Sequence, residues 1–520
     1  MAYKVFRWLW IANVASNIGT WMQNVGAAWL MITLAPTPLM VSLVQTATNL
    51  PVFLFGIPAG ALADVMDRRR LLIFTQTWMR GAAGVLGWMC LAGTIGPWGL
   101  LWWTFALGAG AALNAPAWQA IVPELVPREE LAGAIAMNSV GFNVARAAGP
   151  ALGGLVVGLT NPGIAFMLNA VSFVGVVIVL YWWKRTPVAG AETSDSVVSA
   201  ILAGFRYVRY APPLQTVLVR SGVFVFGASC LWSILPLVAR DELHSESTGY
   251  GLLLACLGAG SVCAAFLLAR LRHRVGLNLL VAVGVCLFGV TSFALALLSQ
   301  FAAVCLFLFA GGMAWMTVMS NFNTAAQSAL PEWVRARGMA LYIFVFQGAM
   351  AIGSVVWGEV AERFGLRVSL AASGLALVAG LAMTLRRALP GSGSIDTRPS
   401  LHWPEPNVVV EPKPDDGPVL VTVEYVVDDD DAHDFRLAMA GLERIRRRDG
   451  AVSWGLFEDA STPGRYIESF LVDSWAEHVR QHARATMADL SVEERVRTFH
   501  RGDGPPRVNH WISALRHKGR

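Results

Sequence analysis

Gly60-Ala61-Leu62-Ala63-Asp64-Val65-Met66-Asp67-Arg68-Arg69-Arg70 decides the fold of this chain. It is a short, densely charged turn between two apolar runs of membrane-crossing length. Runs of about 20 apolar residues span a bilayer as helices, because only a helix satisfies its own backbone in lipid. A basic turn between two such helices marks the cytoplasmic side. The same alternation of apolar run and turn continues to about residue 390.

Twelve spans are expected, over 6–34, 39–63, 71–95, 98–122, 131–160, 163–183, 214–240, 249–271, 277–299, 301–328, 337–359 and 366–388. With the amino terminus inside, the even-numbered turns hold Arg68–Arg70, Arg128, Lys184-Arg185, Arg270, Arg272, Arg274, Arg335 and Arg337. The opposite turns are short or acidic, as at Asp241-Glu242 and Glu246, with a mixed one around Glu359–Arg367. This asymmetry predicts a multi-pass protein of the cell membrane with both termini cytoplasmic. It also accounts for the net charge of +5 without a nucleic-acid partner.

Composition separates a membrane part from a tail. Of 75 charged residues, 37 lie from residue 400 onward, 16 Lys+Arg and 21 Asp+Glu. All six cysteines sit in apolar stretches without metal-ligand spacing, so neither a disulfide framework nor a metal site is expected. No Walker A pattern is present, which argues against ATP as the driving force.

The spans divide six and six around a central loop. Gln119–Val126 closes span four and Gln327–Val334 closes span ten. The two segments share Gln, Pro, Glu and Val at an offset of 208 residues. Such a repeat is the build of a rocking transporter with its site between the halves. The expected domains are a six-helix bundle over 1–185, a cytoplasmic loop over 186–213 and a second six-helix bundle over 214–389. A proline-rich linker follows over 390–418, then a soluble α+β domain over 419–515. The linker composition predicts a tail that acts apart from the membrane part. The tail reads βαββαβ, with one long helical region near 474–499, the order of a ferredoxin-like sandwich.

Polar residues inside spans are the candidate site. Arg146 lies mid-span, where a charge costs at least about 2.5–3.5 kcal/mol unless it faces a cavity or partner. Asn143 shares its helix face, and span one carries a parallel stripe of Asn13, Asn17, Thr20 and Asn24. Asn114 and Asn323 are expected to join the path. No Asp or Glu stands mid-span, so the sequence does not read out the coupling ion. An arginine without an acidic partner tilts the substrate toward a polar or anionic group. In the tail, His478 and His482 share a helix face at i, i+4, but no third ligand stands nearby in sequence.

The 60–70 turn resembles the signature of the major facilitator superfamily between spans two and three. Gly60, Leu62, Asp64, Arg68 and Arg69 fit it; Val65 and Asp67 replace its usual basic residue and glycine. The resemblance implies that Gly60, Asp64, Arg68 and Arg69 gate the inner side, with Asp64 near the start of span eleven. Gly149-Pro150-Ala151-Leu152-Gly153-Gly154 resembles the superfamily's exporter signature, which implies export, with Gly149, Pro150, Gly153 and Gly154 forming a seal. Together with Asn17–Gln23 and Val122–Val126, these motifs resemble the transmembrane secretion effectors, the branch holding enterobactin-type siderophore exporters. The likeness implies a secondary exporter of a small polar or amphipathic molecule, such as a siderophore or drug. It would be a non-enzyme with no cofactor, working by alternating access, with H+ the expected coupling ion. The tail more loosely resembles dimeric monooxygenase-type barrels. That implies self-association, or the alternative of a transporter fused to a small-molecule-modifying or ligand-sensing domain.

Overall fold

The computed structural model describes residues 4–183, 197–272, 274–391, 395–400, 402–403, 408 and 412–514. The Lys184-Arg185 turn and the side chains of Asp64 and Arg128 lie outside the described residues. The chain forms two compact units. The first comprises Met1–Glu192, Leu218–Asn323 and Tyr342–Ala388; the second comprises Thr193–Val217, Thr324–Leu341 and Leu389–Arg520.

The membrane helices are α1 (Lys4–Leu34), α2 (Pro38–Val65), α3 (Arg68–Leu91), α4 (Pro97–Leu125), α5 (Leu131–Leu159) and α6 (Pro162–Trp182). A short helix α7 (Val197–Tyr210) separates them from a second set. That set is α8 (Pro212–Leu237), α9 (Ser247–Leu271), α10 (Leu277–Leu297), α11 (Phe301–Ser328), α12 (Arg335–Phe364) and α13 (Leu366–Thr384). Among the described residues, nine helical runs are long and apolar enough to cross a membrane by length and composition. α1, α3 and α4 have the length to span, at 31, 24 and 29 residues. Their arginines, asparagines, tryptophans and glycines lower their hydropathy.

Turn chemistry sets the helix starts. Thr37 and Asn161 cap α2 and α6, each followed by a proline whose fixed φ suits the first turn. Asp67, the departure from the signature glycine, caps α3 by accepting from the Arg70 amide at 2.9 Å. The signature turn is therefore a helix cap as well as a charge marker.

Within the first half, α1 packs on α5 and α6, α2 on α4, and α3 on α4 and α6. In the second half α10 packs on α13. There Gly260 of α9 and Gly312 of α11 lie so close to the facing backbones of Phe309 and Leu257 that no side chain could stand at either position. The two halves meet along α5 and α9. Gly154 and Gly251 form this seam, and a Cβ on Gly154 would lie 2.6 Å from the Ser247 carbonyl oxygen.

The second unit holds the α+β tail. Its strands are β1 (Val419–Val426), β2 (Ser453–Glu458), β3 (Arg465–Val472) and β4 (Arg507–Ile512), in the antiparallel order β2-β3-β1-β4. Val419, Val421, Val423 and Tyr425 alternate inward along β1. Part of this face meets Phe435, Met439 and Leu442 of α14 (Ala432–Asp449). The long helical region expected near 474–499 is two helices, α15 (Trp475–Arg484) and α16 (Met487–Arg497). Thr486 breaks it, because its side chain and that of Asp489 form a capping box that starts a new helix.

The described parts of the proline-rich linker do not stand off as a spacer. The Ser400 amide donates to the Ala485 carbonyl at 2.9 Å, and the Met487 and Ala488 amides donate to Arg398 and Asp396 at 3.0 Å each. The Trp475 amide donates to the Asp416 carbonyl at 2.7 Å. Proline lowers the linker's helix content without stopping its remaining backbone groups from pairing with the tail.

Candidate functional site

A cavity of about 560 Å³ lies wholly within the first unit, between the two halves. α1 contributes Trp21 and Asn24, and α2 contributes Gln45, Thr48 and Asn49. α5 contributes Phe142 and Arg146, α8 contributes Trp232 and Ser233, and α9 contributes Tyr250. α11 adds Trp315 and Asn323, and α12 adds Tyr342, Phe346 and Gln347. The wall is aromatic and amide-rich. Arg146 is the single charged residue among the described lining residues.

Arg146 makes no hydrogen bond or ion pair to a described residue, and its Nε is buried without a partner. Its guanidinium carbon lies 5.9 Å from the Trp232 ring centroid. The Trp232 Nε1 is likewise buried and unpaired. An unmade hydrogen bond in such a place costs about 1–3 kcal/mol, more for a charged group. Both donors therefore favour an incoming acceptor.

Two prolines shape this pair. Pro150 sits four residues after Arg146 and Pro236 four after Trp232. Each lacks the N–H that would bond the carbonyl one turn earlier, so both helices can bend beside the cavity. The freed Arg146 carbonyl faces Gly258 of α9, where an added Cβ would stand 3.1 Å away.

The two halves touch at the helix ends opposite the basic turns. There Ser247 Oγ donates to the Gly154 carbonyl at 3.3 Å, and Arg240 Nη1 donates to the Ile32 carbonyl at 3.2 Å. The Leu39 amide donates to Glu362 at 3.1 Å. Gly358 approaches Ser42 where no larger residue would fit without movement.

Of the sequence-derived candidates, Asn24, Arg146 and Asn323 line this cavity. Asn13, Asn17, Thr20, Asn114 and Asn143 do not. Thr20 donates to the Ser16 carbonyl at 3.0 Å, and Asn143 donates to the Ser139 carbonyl at 2.8 Å. Asn114 accepts from Thr75 and Gln76 at 3.1 Å each, tying α4 to α3. A short polar side chain on a helix reaches its own previous turn easily, and helical spacing alone cannot separate that use from cavity lining. Gly149 and Gly153 abut Trp21 and Met22 of α1, whereas Gly154 joins the seam with α9. Gly60 faces open space. Arg68 pairs with Glu124 at 2.8 Å, and Arg69 donates to the Leu180 and Tyr181 carbonyls at 2.7 and 2.8 Å. Both arginines thus bind elements of their own half.

The tail carries a second polar centre. Arg446 is buried between Glu468 at 3.0 Å and Glu493 at 2.8 Å. Burial pushes the Glu493 carboxyl up, but Arg446 and His402 outweigh it and hold it at about 2. His478 and His482 gain a third imidazole that sequence spacing could not show. The His510 ring from β4 lies 4.7 Å from that of His478. No metal-holding group of His, Cys, Asp or Glu exists among the described residues. Burial, helped by the neighbouring imidazoles, pushes His478 down to about 3 and His482 to about 4.

Helices of membrane-spanning length around an aromatic and amide-lined cavity between two halves are the build of a multi-pass membrane transporter. The family model described as transmembrane secretion effector matches residues 1–518, and the chain belongs to that family, within the major facilitator superfamily. It is 25% identical over 391 residues to the enterobactin exporter EntS of Escherichia coli, covering 72% of this chain and 90% of that one. It is 20% identical over 367 residues to the staphyloferrin A transporter of Staphylococcus aureus, covering 69% and 90%. It is 21% identical over 379 residues to the multidrug efflux pump Tap of Mycolicibacterium fortuitum, covering 71% and 91%. Among solved structures, a bacterial homologue of the lysosomal transporter Spinster, inward-facing and occupied, aligns with a TM-score of 0.61. That match is 15% identical and covers 74% of this chain and 97% of the other.

Proposed function

We propose that this protein is a secondary exporter that carries a small, anionic or strongly polar amphipathic molecule out of the cytoplasm. It works by alternating access and exchanges its substrate for H+. The observation that carries this reading is the Arg146 guanidinium, which pairs with no described residue and keeps a buried, unpartnered Nε, among aromatic and amide walls. A fixed cation without a counter-ion favours an anion in a low-dielectric cavity, and the rings supply apolar contact. The contacts between the halves opposite the basic turns fit a state that receives substrate from the cytoplasmic side, with both chain termini on that side. The exporter signature at Gly149–Gly154 and the names of the relatives support the outward direction.

Inverted membrane vesicles give the test. Acid-inside inverted vesicles holding the protein should accumulate an anionic aromatic probe supplied outside, and a protonophore should abolish the uptake. Uptake equally rapid without a pH gradient would remove the coupling claim. Movement only in right-side-out vesicles would reverse the direction.

A further inference from the structure

The second unit contains more than the tail. α7 belongs to it, and so do residues 324–341, which carry the end of α11 and the start of α12. α7 is part of the chain segment that joins the two membrane halves, since α6 ends at Trp182 and α8 begins at Pro212.

Two aromatic residues outside the tail receive two of its arginines. Arg448 at the end of α14 lies over the Tyr207 ring of α7, at 5.5 Å to the centroid. Arg484 at the end of α15 lies over the Trp333 ring, at 4.6 Å. Each guanidinium is oriented by acids at its edge, which leaves its face for stacking. Arg448 bonds Asp449 and Asp489 at 2.7–3.0 Å. Arg484 donates to Glu477 at 2.5 Å and to the Asp449 carbonyl at 2.7 Å. Glu477 also meets Arg206 of α7 at 3.3 Å. Tyr207 and Trp333 contact each other edge-on at 5.7 Å, and the Tyr207 hydroxyl donates to the Ala329 carbonyl at 3.0 Å. The tail thus grips two separate segments of the chain at one place. Guanidinium–ring contacts of this kind strengthen when desolvated, and Tyr207 and Arg484 are both buried.

We infer that the carboxy-terminal domain is an intramolecular brace: its arginines dock on Tyr207 and Trp333 and fix α7 to the turn between α11 and α12. Rocking of the halves must be accommodated by the segment that joins them. A brace holding that segment to residues 324–341 gives the tail a direct hold on the joining segment. This is the reverse of the independent tail that the linker's composition predicts.

The first variant leaves the tail's own sequence unchanged. In full-length protein in lipid nanodiscs, Tyr207→Leu with Trp333→Leu should speed amide hydrogen exchange in α7 about tenfold or more, while β1 and β3 keep wild-type protection. A chain ending at residue 391 should show the same α7 exchange. Unchanged α7 exchange in both proteins would overturn the brace. Loss of protection in β1 and β3 of the double variant would also overturn it, since the two aromatics would then be part of the tail's own core. Export by the shortened chain should fall at least tenfold while membrane insertion persists; full export with a loosened α7 would show that the contact plays no part in transport. The exchange readout stands whether or not the export reading holds.

Discussion

Arg146, half-buried with its Nε fully buried, and the buried His478 are cationic residue types that meet opposite fates. Arg146 lacks a hydrogen-bonding partner among the described residues, so an acceptor must come from elsewhere. His478 is held neutral, and neither ring nitrogen finds a partner. Its folded pKa of about 3 lies below the usual 6.5. Neutral imidazole therefore stabilises the tail fully above pH 6.5, and that contribution is lost as pH falls toward 3, because the unfolded chain takes up the proton first. His482 adds to the loss between 6.5 and about 4. His478→Phe should leave tail stability at neutral pH unchanged or raised, since no hydrogen bond is broken. It should also flatten the decline in protease resistance of the tail between pH 6.5 and 4. A slope identical to wild type would contradict the assignment.

Arg146 was legible in the sequence because a mid-membrane charge is costly and conspicuous. Trp232, Gln45 and Gln347 were not, because aromatic and amide residues also pack between helices. Of the span-one stripe only Asn24 reaches the cavity; Asn13 and Asn17 share its helical spacing without that placement. Periodicity fixes a face of a helix, and the neighbouring helices decide what that face meets.

At the scale of elements, the α5–α9 seam depends on missing side chains. Gly154→Ala and Gly133→Ala should each gain about the same helix propensity, near 1 kcal/mol. A Cβ at Gly154 meets the Gly251 Cα at 2.8 Å, whereas at Gly133 it meets nothing within 4 Å. Gly154→Ala should therefore reduce export several-fold at normal expression, and Gly133→Ala should not. Equal effects would show that the seam is not a moving closure. In the tail, Glu468 bonds Arg446, Trp454 and Tyr425 while fully buried. Glu468→Ala strips an acceptor from Trp454, Tyr425 and the Arg446 Nε, Arg446 keeping Glu493, and should destabilise the tail by about 3 kcal/mol. Thermal unfolding followed by tail proteolysis measures it. The break between α15 and α16 was readable in principle, since Thr486 and Asp489 stand at capping-box spacing, although the apolar pattern runs across them.

For the whole molecule, the apolar ladder and its basic turns gave the membrane architecture directly, because the bilayer imposes span length and charge asymmetry together. The company kept by the tail was not readable. Stacking of Arg448 on Tyr207 and Arg484 on Trp333 joins residues far apart in the chain, and neither ring carries a local sign of its partner. The topology makes its own prediction: protease added to intact spheroplasts should spare the tail, and the same protease added to inverted membranes should release it. Cleavage from the outside would reverse the proposed orientation.

The most direct test of the account compares small molecules inside and outside cells that lack this chain, carry it, or carry Arg146→Ala. The account predicts an anionic or strongly polar amphipathic compound that accumulates inside and fades from the medium without the chain. The wild type should restore its release and Arg146→Ala should not. Release restored by Arg146→Ala, or a restored compound that is a cation, would contradict the central claim that an unpaired arginine in this cavity selects what the protein carries.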